Sequence, residues 1–164
     1  VTRARDVSTP TALVLISSTT IGSAVTSVTV NNAFSATYDA YKIVITAGSG
    51  SGNNNVFAMQ LGSTTTNYNW VLTYAGYASG NNYVRGSATN NFNYLGNINI
   101  DGMAACIEIQ NPFLTRQTWI SAPYADTVNT GILTGYQNSN TSFTGFTLTG
   151  STFTGGTIKV YGYK

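Results

Sequence analysis

The feature that most restricts what this chain can become is the strict alternation beginning at Tyr41. Tyr41, Ile43 and Ile45 point one way and Lys42, Val44 and Thr46 the other, which is the two-residue period of a pleated strand. It reads as a central strand around which neighbours must be built. The rings of Phe34, Tyr38 and Tyr41 gather just ahead of the aliphatic run, so a large apolar load arrives where the chain enters the sheet. Asp39-Ala40, between two tyrosines, predicts a turn that sets the direction of approach.

The remaining apolar clusters repeat this character. Leu13 to Ile16, Val25 to Val30, Val56 to Leu61, Ala104 to Ile109, Thr118 to Ile120, Gly131 to Tyr136, Phe143 to Thr149 and Gly156 to Lys164 are short and separated by Ser, Thr, Asn and Gly. No window carries a helical stripe, and Gly recurs too often for long helices. The expected fold class is all-β: an antiparallel β-sandwich, jelly-roll-like, of about ten strands. Residues 11–164 form this domain, and residues 1–10 form an N-terminal arm without hydrophobic periodicity. Ala47 to Asn55 predicts a mobile loop between strands, and Ser79-Gly80-Asn81-Asn82 a loop tip.

Chemistry is constrained by what is missing. Only 7% of the 164 residues are charged, seven basic and five acidic, and there is no histidine. The commonest general base, the usual partner of a nucleophilic Ser or Cys, and a principal zinc ligand are therefore absent. Asp6, Asp39, Asp101, Glu108 and Asp126 are scattered without the spacing of a catalytic pair or a calcium loop. Asp39, Asp101 and Asp126 read as turn formers, and Glu108 as a solvent-facing strand position. The expectation is a non-enzymatic protein with no cofactor and no metal. A clustered basic footprint for nucleic acid is lacking, as is a membrane-spanning run or signal peptide, so a soluble protein is expected. The lone Cys106 cannot form an internal disulfide and reads as a small buried hydrophobe.

Two sets of residues remain as candidates for contact. Arg3, Arg5 and Asp6 in the arm would supply ionic contacts if the arm orders on docking to another protein. The aromatic block offers the second set. Tyr68, Trp70, Leu72 and Tyr74 are spaced by two and share one strand face whose expected fate is burial. Tyr77 and Tyr83 escape that fate beside the loop tip. With Asn53, Asn54, Asn81 and Asn82 they form the candidate glycan or receptor contact, rings stacking on sugars and amides reading hydroxyls.

In the order of Phe34, Tyr38 and Tyr41-Lys42-Ile43-Val44-Ile45, then Gly145-Phe146-Thr147-Leu148, then Gly156-Thr157-Ile158-Lys159-Val160-Tyr161-Gly162, the chain resembles a family of virion proteins of marine and cyanobacterial bacteriophages. Their jelly-roll domains occur in tail fibres and other particle-surface proteins. The opening Thr2-Arg3-Ala4-Arg5-Asp6 is also similar, and the resemblance covers most of residues 20–164. It implies a homotrimer on the exterior of a phage particle, held to other virion proteins of the capsid or tail. Because the sandwich follows the arm almost directly, a capsid decoration protein or short fibre knob anchored by the arm is expected rather than a long tail fibre. The alternative is a fibre tip that binds a receptor or host surface glycan.

Overall fold

The computed structural model describes residues 13–164; the arm, with Arg3, Arg5 and Asp6, lies outside the described residues. The described chain contains no helix and folds as an antiparallel β-sandwich of fourteen strands. Ten of these have six residues or more: β1 (Leu13–Thr20), β2 (Val25–Val30), β3 (Ala40–Thr46), β7 (Tyr68–Gly76), β8 (Asn81–Thr89), β10 (Gly102–Gln110), β11 (Thr118–Ala125), β12 (Asn129–Gln137), β13 (Phe146–Thr154) and β14 (Thr157–Tyr163). The four beyond the expected ten are short: β4 (Ser49–Gly50), β5 (Asn55–Val56), β6 (Ala58–Leu61) and β9 (Asn97–Asn99).

The larger sheet runs β1-β14-β3-β10-β11-β12-β7-β8, with β9 beside β10 and β5 beside β9. The smaller sheet is built on β13, which pairs with β2 on one side and with β6 and β4 on the other. Over the first six strands the chain crosses between sheets at each step and then lays β7 to β12 into the larger sheet. As the alternation requires, β3 is interior, between β14 and β10, with Tyr41, Ile43 and Ile45 fully buried.

The two sheets are tied together by rings. Phe34 packs edge-on to Tyr41 of the larger sheet at 4.9 Å and lies 5.7 Å from Phe146 of the smaller one. The buried Tyr41 hydroxyl donates to the carbonyl of Ser35 and accepts from its N–H, both at 2.8 Å, so no polar atom is stranded there. Tyr38 stands 6.0 Å from Tyr41 and lies directly over Gly162, where a Cβ would fall 2.6 Å from its ring.

Glycine also shapes the β8 end of the larger sheet. Trp70 is buried beneath Gly135 and Gly86 on the flanking strands; a Cβ at Gly135 would come 2.5 Å from the Asn69 carbonyl, and one at Gly86 2.5 Å from the Trp70 Nε1. The indole N–H donates to Thr89 Oγ1 and to the Asn91 carbonyl.

The segment from Ala47 to Asn55 differs from the loop its composition predicts. Ser49–Gly50 pairs with Phe153 and Thr154, and the Ser51 N–H donates to the Thr152 carbonyl at 2.9 Å. Its glycines serve close approach: a Cβ at Gly48 would lie 2.3 Å from the Gly155 oxygen and one at Gly50 2.4 Å from Ile98. Likewise Asn81 and Asn82 belong to β8, and the turn before them is formed by residues 77–80.

Gly135→Ala should therefore destabilise the fold by about 1–3 kcal/mol through overpacking against backbone. Gly80→Ala, with open space around it, should change stability by less than about 0.5 kcal/mol. Urea unfolding midpoints of the two variants test this, and equal midpoints would remove the packing explanation.

Candidate functional site

With one face of the larger sheet committed to the core, cross-strand register determines what the opposite face displays. Glu108, Ser121, Thr134, Val71 and Arg85 are successive partners across β10, β11, β12, β7 and β8. Beside them runs a second row of Gln110, Trp119, Tyr136 and Asn69. On the other side lie Pro123, Ile132, Thr73 and Tyr83. Because Ser121 and Thr134 are small beside the bulky second row, the middle row forms the floor of a trough walled by that row. An open groove of about 550 Å³ lies here, with Trp119 and Tyr136 along one wall.

These two rings are 5.2 Å apart and tilted by 40°. Trp119 retains 47% exposure, so an indole surface is left open to solvent instead of being consumed by packing. At the β10 end, Glu108 is occupied: the Lys42 ammonium lies 3.1 Å away and the Tyr163 hydroxyl donates to its carboxylate. The ammonium's hydrogen bond to Glu108 raises the Lys42 pKa, and burial followed by the Glu108 contact pushes the Tyr163 phenol up to about 12. At the β8 end Arg85 is exposed, lies 6.0 Å from the Tyr83 ring centroid, and has no carboxylate partner among the described residues. The groove is thus polarised, neutralised at one end and cationic at the other.

Across strands β1, β14 and β3 the same face is different. Leu13 pairs with Tyr163 and Leu15 with Tyr161, making an apolar patch beside Lys42 and Lys159. In all, seven of the ten exposed large hydrophobic side chains of the described residues project from this one face: Leu13, Leu15, Val71, Tyr83, Trp119, Ile132 and Tyr163. Among the described residues only Lys42, Arg85, Glu108 and Lys159 carry charge on its strands. Cys106 is also here, half-buried beside Val44. This corrects the expectation of a core thiol, because alternation from buried Ala105 and Ile107 places it outward.

The contact residues expected from the sequence divide into two groups. Asn54 and Tyr77 bind the same turn, the Thr127 hydroxyl donating to Asn54 Oδ1 at 2.9 Å and the Tyr77 N–H to the Val128 carbonyl at 2.9 Å, while Asn53 Oδ1 accepts from the Ile100 N–H at 3.2 Å. Tyr77 is 63% exposed, but both asparagine carbonyls are engaged in holding loops. Asn81, Asn82 and Tyr83 lie instead along the edge strand β8, with Tyr83 on the outer face beside Arg85. Trp119, Tyr136 and Gln110 were not distinguishable as a set in the sequence, since only register joins them.

The connecting turn is organised by Asp126, which accepts from the Val128 and Asn129 N–H groups and from the Tyr124 hydroxyl at 2.6 Å. Partial burial opposes ionisation of Asp126, but these hydrogen bonds outweigh it and hold the carboxyl below its ordinary range. Burial and then the Asp126 contact raise the Tyr124 phenol. Among the described residues no three Asp, Glu or Cys side chains come together. Compared with protein-family models, curated proteins and solved structures, the chain matches none.

A carboxylate whose folded pKa is depressed stabilises the fold above its unfolded value of about 3.9 and loses that contribution as pH falls through the folded value. Asp126→Ala should cost about 1 kcal/mol at neutral pH, kept small by solvent screening. The gap from the parent protein should close as pH drops below about 4. Thermal melts across pH check this, and a gap independent of pH would show that the hydrogen-bonded carboxylate is not its source.

Proposed function

We propose that the chain is a non-enzymatic structural protein carried on the exterior of a bacteriophage particle, a decoration protein or short fibre knob. The observation that supports this reading is the charge-poor outer face of the larger sheet, from which most of the exposed large hydrophobics project. Exposed apolar side chains gathered on one face suit a contact surface, and its tyrosines and tryptophan are residue types enriched at interface cores.

The half of the face on β1 and β14 suits subunit assembly. It holds the Leu13–Tyr163 and Leu15–Tyr161 pairs, and β1 is the last strand on its side, so its outward backbone groups have no strand partner among the described residues. Covering such an edge removes an aggregation hazard. Three copies meeting through this patch would form the expected homotrimer, and the arm, which joins the fold at β1, would anchor the assembly to other virion proteins. Many copies on one particle would then convert weak individual contacts into firm attachment to a host surface.

Light scattering should give the mass of three copies for the parent protein. Leu15→Glu, at a half-exposed position that the fold does not need, should give one copy with an unchanged β circular-dichroism spectrum. A monomeric parent protein would defeat the assembly reading. Separately, removing residues 1–6 should leave a folded protein that no longer joins particles, and normal incorporation of the truncated chain would defeat the anchoring role.

A further inference from the structure

We infer that the groove between Trp119 and Arg85 is a binding site for an acidic oligosaccharide, one whose sugar rings carry carboxylates. The site is formed by β7, β8, β10, β11 and β12 and meets the proposed assembly patch at the hydrogen bond from Tyr163 to Glu108.

The shape comes first. The groove crosses strands instead of following one, and the register places Trp119 and Arg85 three strands apart, about 14 Å at the usual inter-strand spacing. That span fits an extended chain of several pyranose rings, not a single small molecule. Its floor is Ser121, Thr134 and Val71, two hydroxyls and an aliphatic side chain in a groove whose lining is mostly apolar.

Chemistry then selects the ligand. The apolar face of a pyranose stacks on an aromatic ring while its equatorial hydroxyls project sideways to polar groups. Trp119 and Tyr136 supply the platform along one wall, and Gln110, exposed beside Trp119, supplies an amide that can both donate and accept. A lipid or an aliphatic peptide would leave the hydroxyl and amide groups unpaired. Nucleic acid would need several cations along the groove, and among the described residues that line it Arg85 is the one cation.

That one cation refines the choice. Lys42 and Glu108 satisfy each other, leaving Arg85 as the unbalanced charge at the far end. A guanidinium presents a planar fork that matches a carboxylate in two parallel hydrogen bonds. Tyr83 lies close enough to hold it in place. A ring on Trp119 and a carboxylate two or three residues along the sugar chain, at Arg85, satisfy the groove at both ends.

Oligogalacturonate and its methyl ester, identical in backbone but differing in charge, provide the probe. Titration of the full chain with oligogalacturonate, followed by tryptophan fluorescence, should saturate, because Trp119 is exposed while Trp70 is buried. The ester should bind about tenfold more weakly, and this preference should fade with added salt. Trp119→Ala should abolish the signal and reduce affinity at least about tenfold by calorimetry. Arg85→Gln should retain binding but equalise acid and ester. Circular dichroism confirms that both surface variants are folded. Absence of binding by the parent protein, undiminished binding by Trp119→Ala, or equal affinity for acid and ester would each overturn the assignment. So would saturable binding of a proline-rich peptide with no response to either saccharide. The mass of the assembly is read independently, so loss of the trimer and loss of sugar binding are distinguishable results.

Discussion

The contact on which the sandwich depends is the ring sequence Tyr41, Phe34, Phe146. It joins the interior strand of the larger sheet to the principal strand of the smaller one through a residue that belongs to neither. The buried Tyr41 hydroxyl closes the loop back onto Ser35, so the segment that carries Phe34 is held by two hydrogen bonds as well as by packing. Burial of rings this large supplies much of the non-directional drive to bring sheets together, while the hydroxyl pair gives that drive a unique geometry. Gly162 follows from the same arrangement, since Tyr38 rests where its side chain would be.

Once the core face is chosen, the two-residue period leaves no freedom on the other side. Every outward position is set by its cross-strand partner, and a slip of one residue would exchange the faces. The trough and the apolar patch are therefore consequences of how the core is paired, not independent additions. Small residues align on the floor because β11 and β12 are in the register that places Ser121 beside Thr134; that register also places Trp119 beside Tyr136. A rigid scaffold of hydrogen-bonded strands holds the aromatic wall better than a loop could.

Much of the fold was legible because alternation is a local signal. The burial of Tyr41, Ile43 and Ile45 and of Tyr68, Trp70 and Leu72 follows from spacing, with Tyr74 only partly covered, and the exposure of Tyr77 and Tyr83 from their place beside the loop tip. What composition concealed was the role of glycine. The Gly-Ser run at 48–52 has the look of a flexible linker, yet its glycines permit backbones and side chains to approach closely, a fact that depends on residues such as Gly155 and Ile98 far away in the chain. The groove was illegible for a related reason: Trp119 and Tyr136 are separated in sequence and related only by hairpin register. Asn53 and Asn54 were visible as exposed loop residues, but not as ones already bonded to the next loops.

The pairing of Leu13 with Tyr163 has a further consequence. The first described strand and the last lie side by side on one rim, so whatever is attached before β1 and whatever is attached after β14 would leave the body from neighbouring points. Such a body can be spliced into a longer polypeptide like a bead with both threads on the same side. It can also be re-opened elsewhere, with those two ends joined by a short tether, without disturbing the stacked sheets.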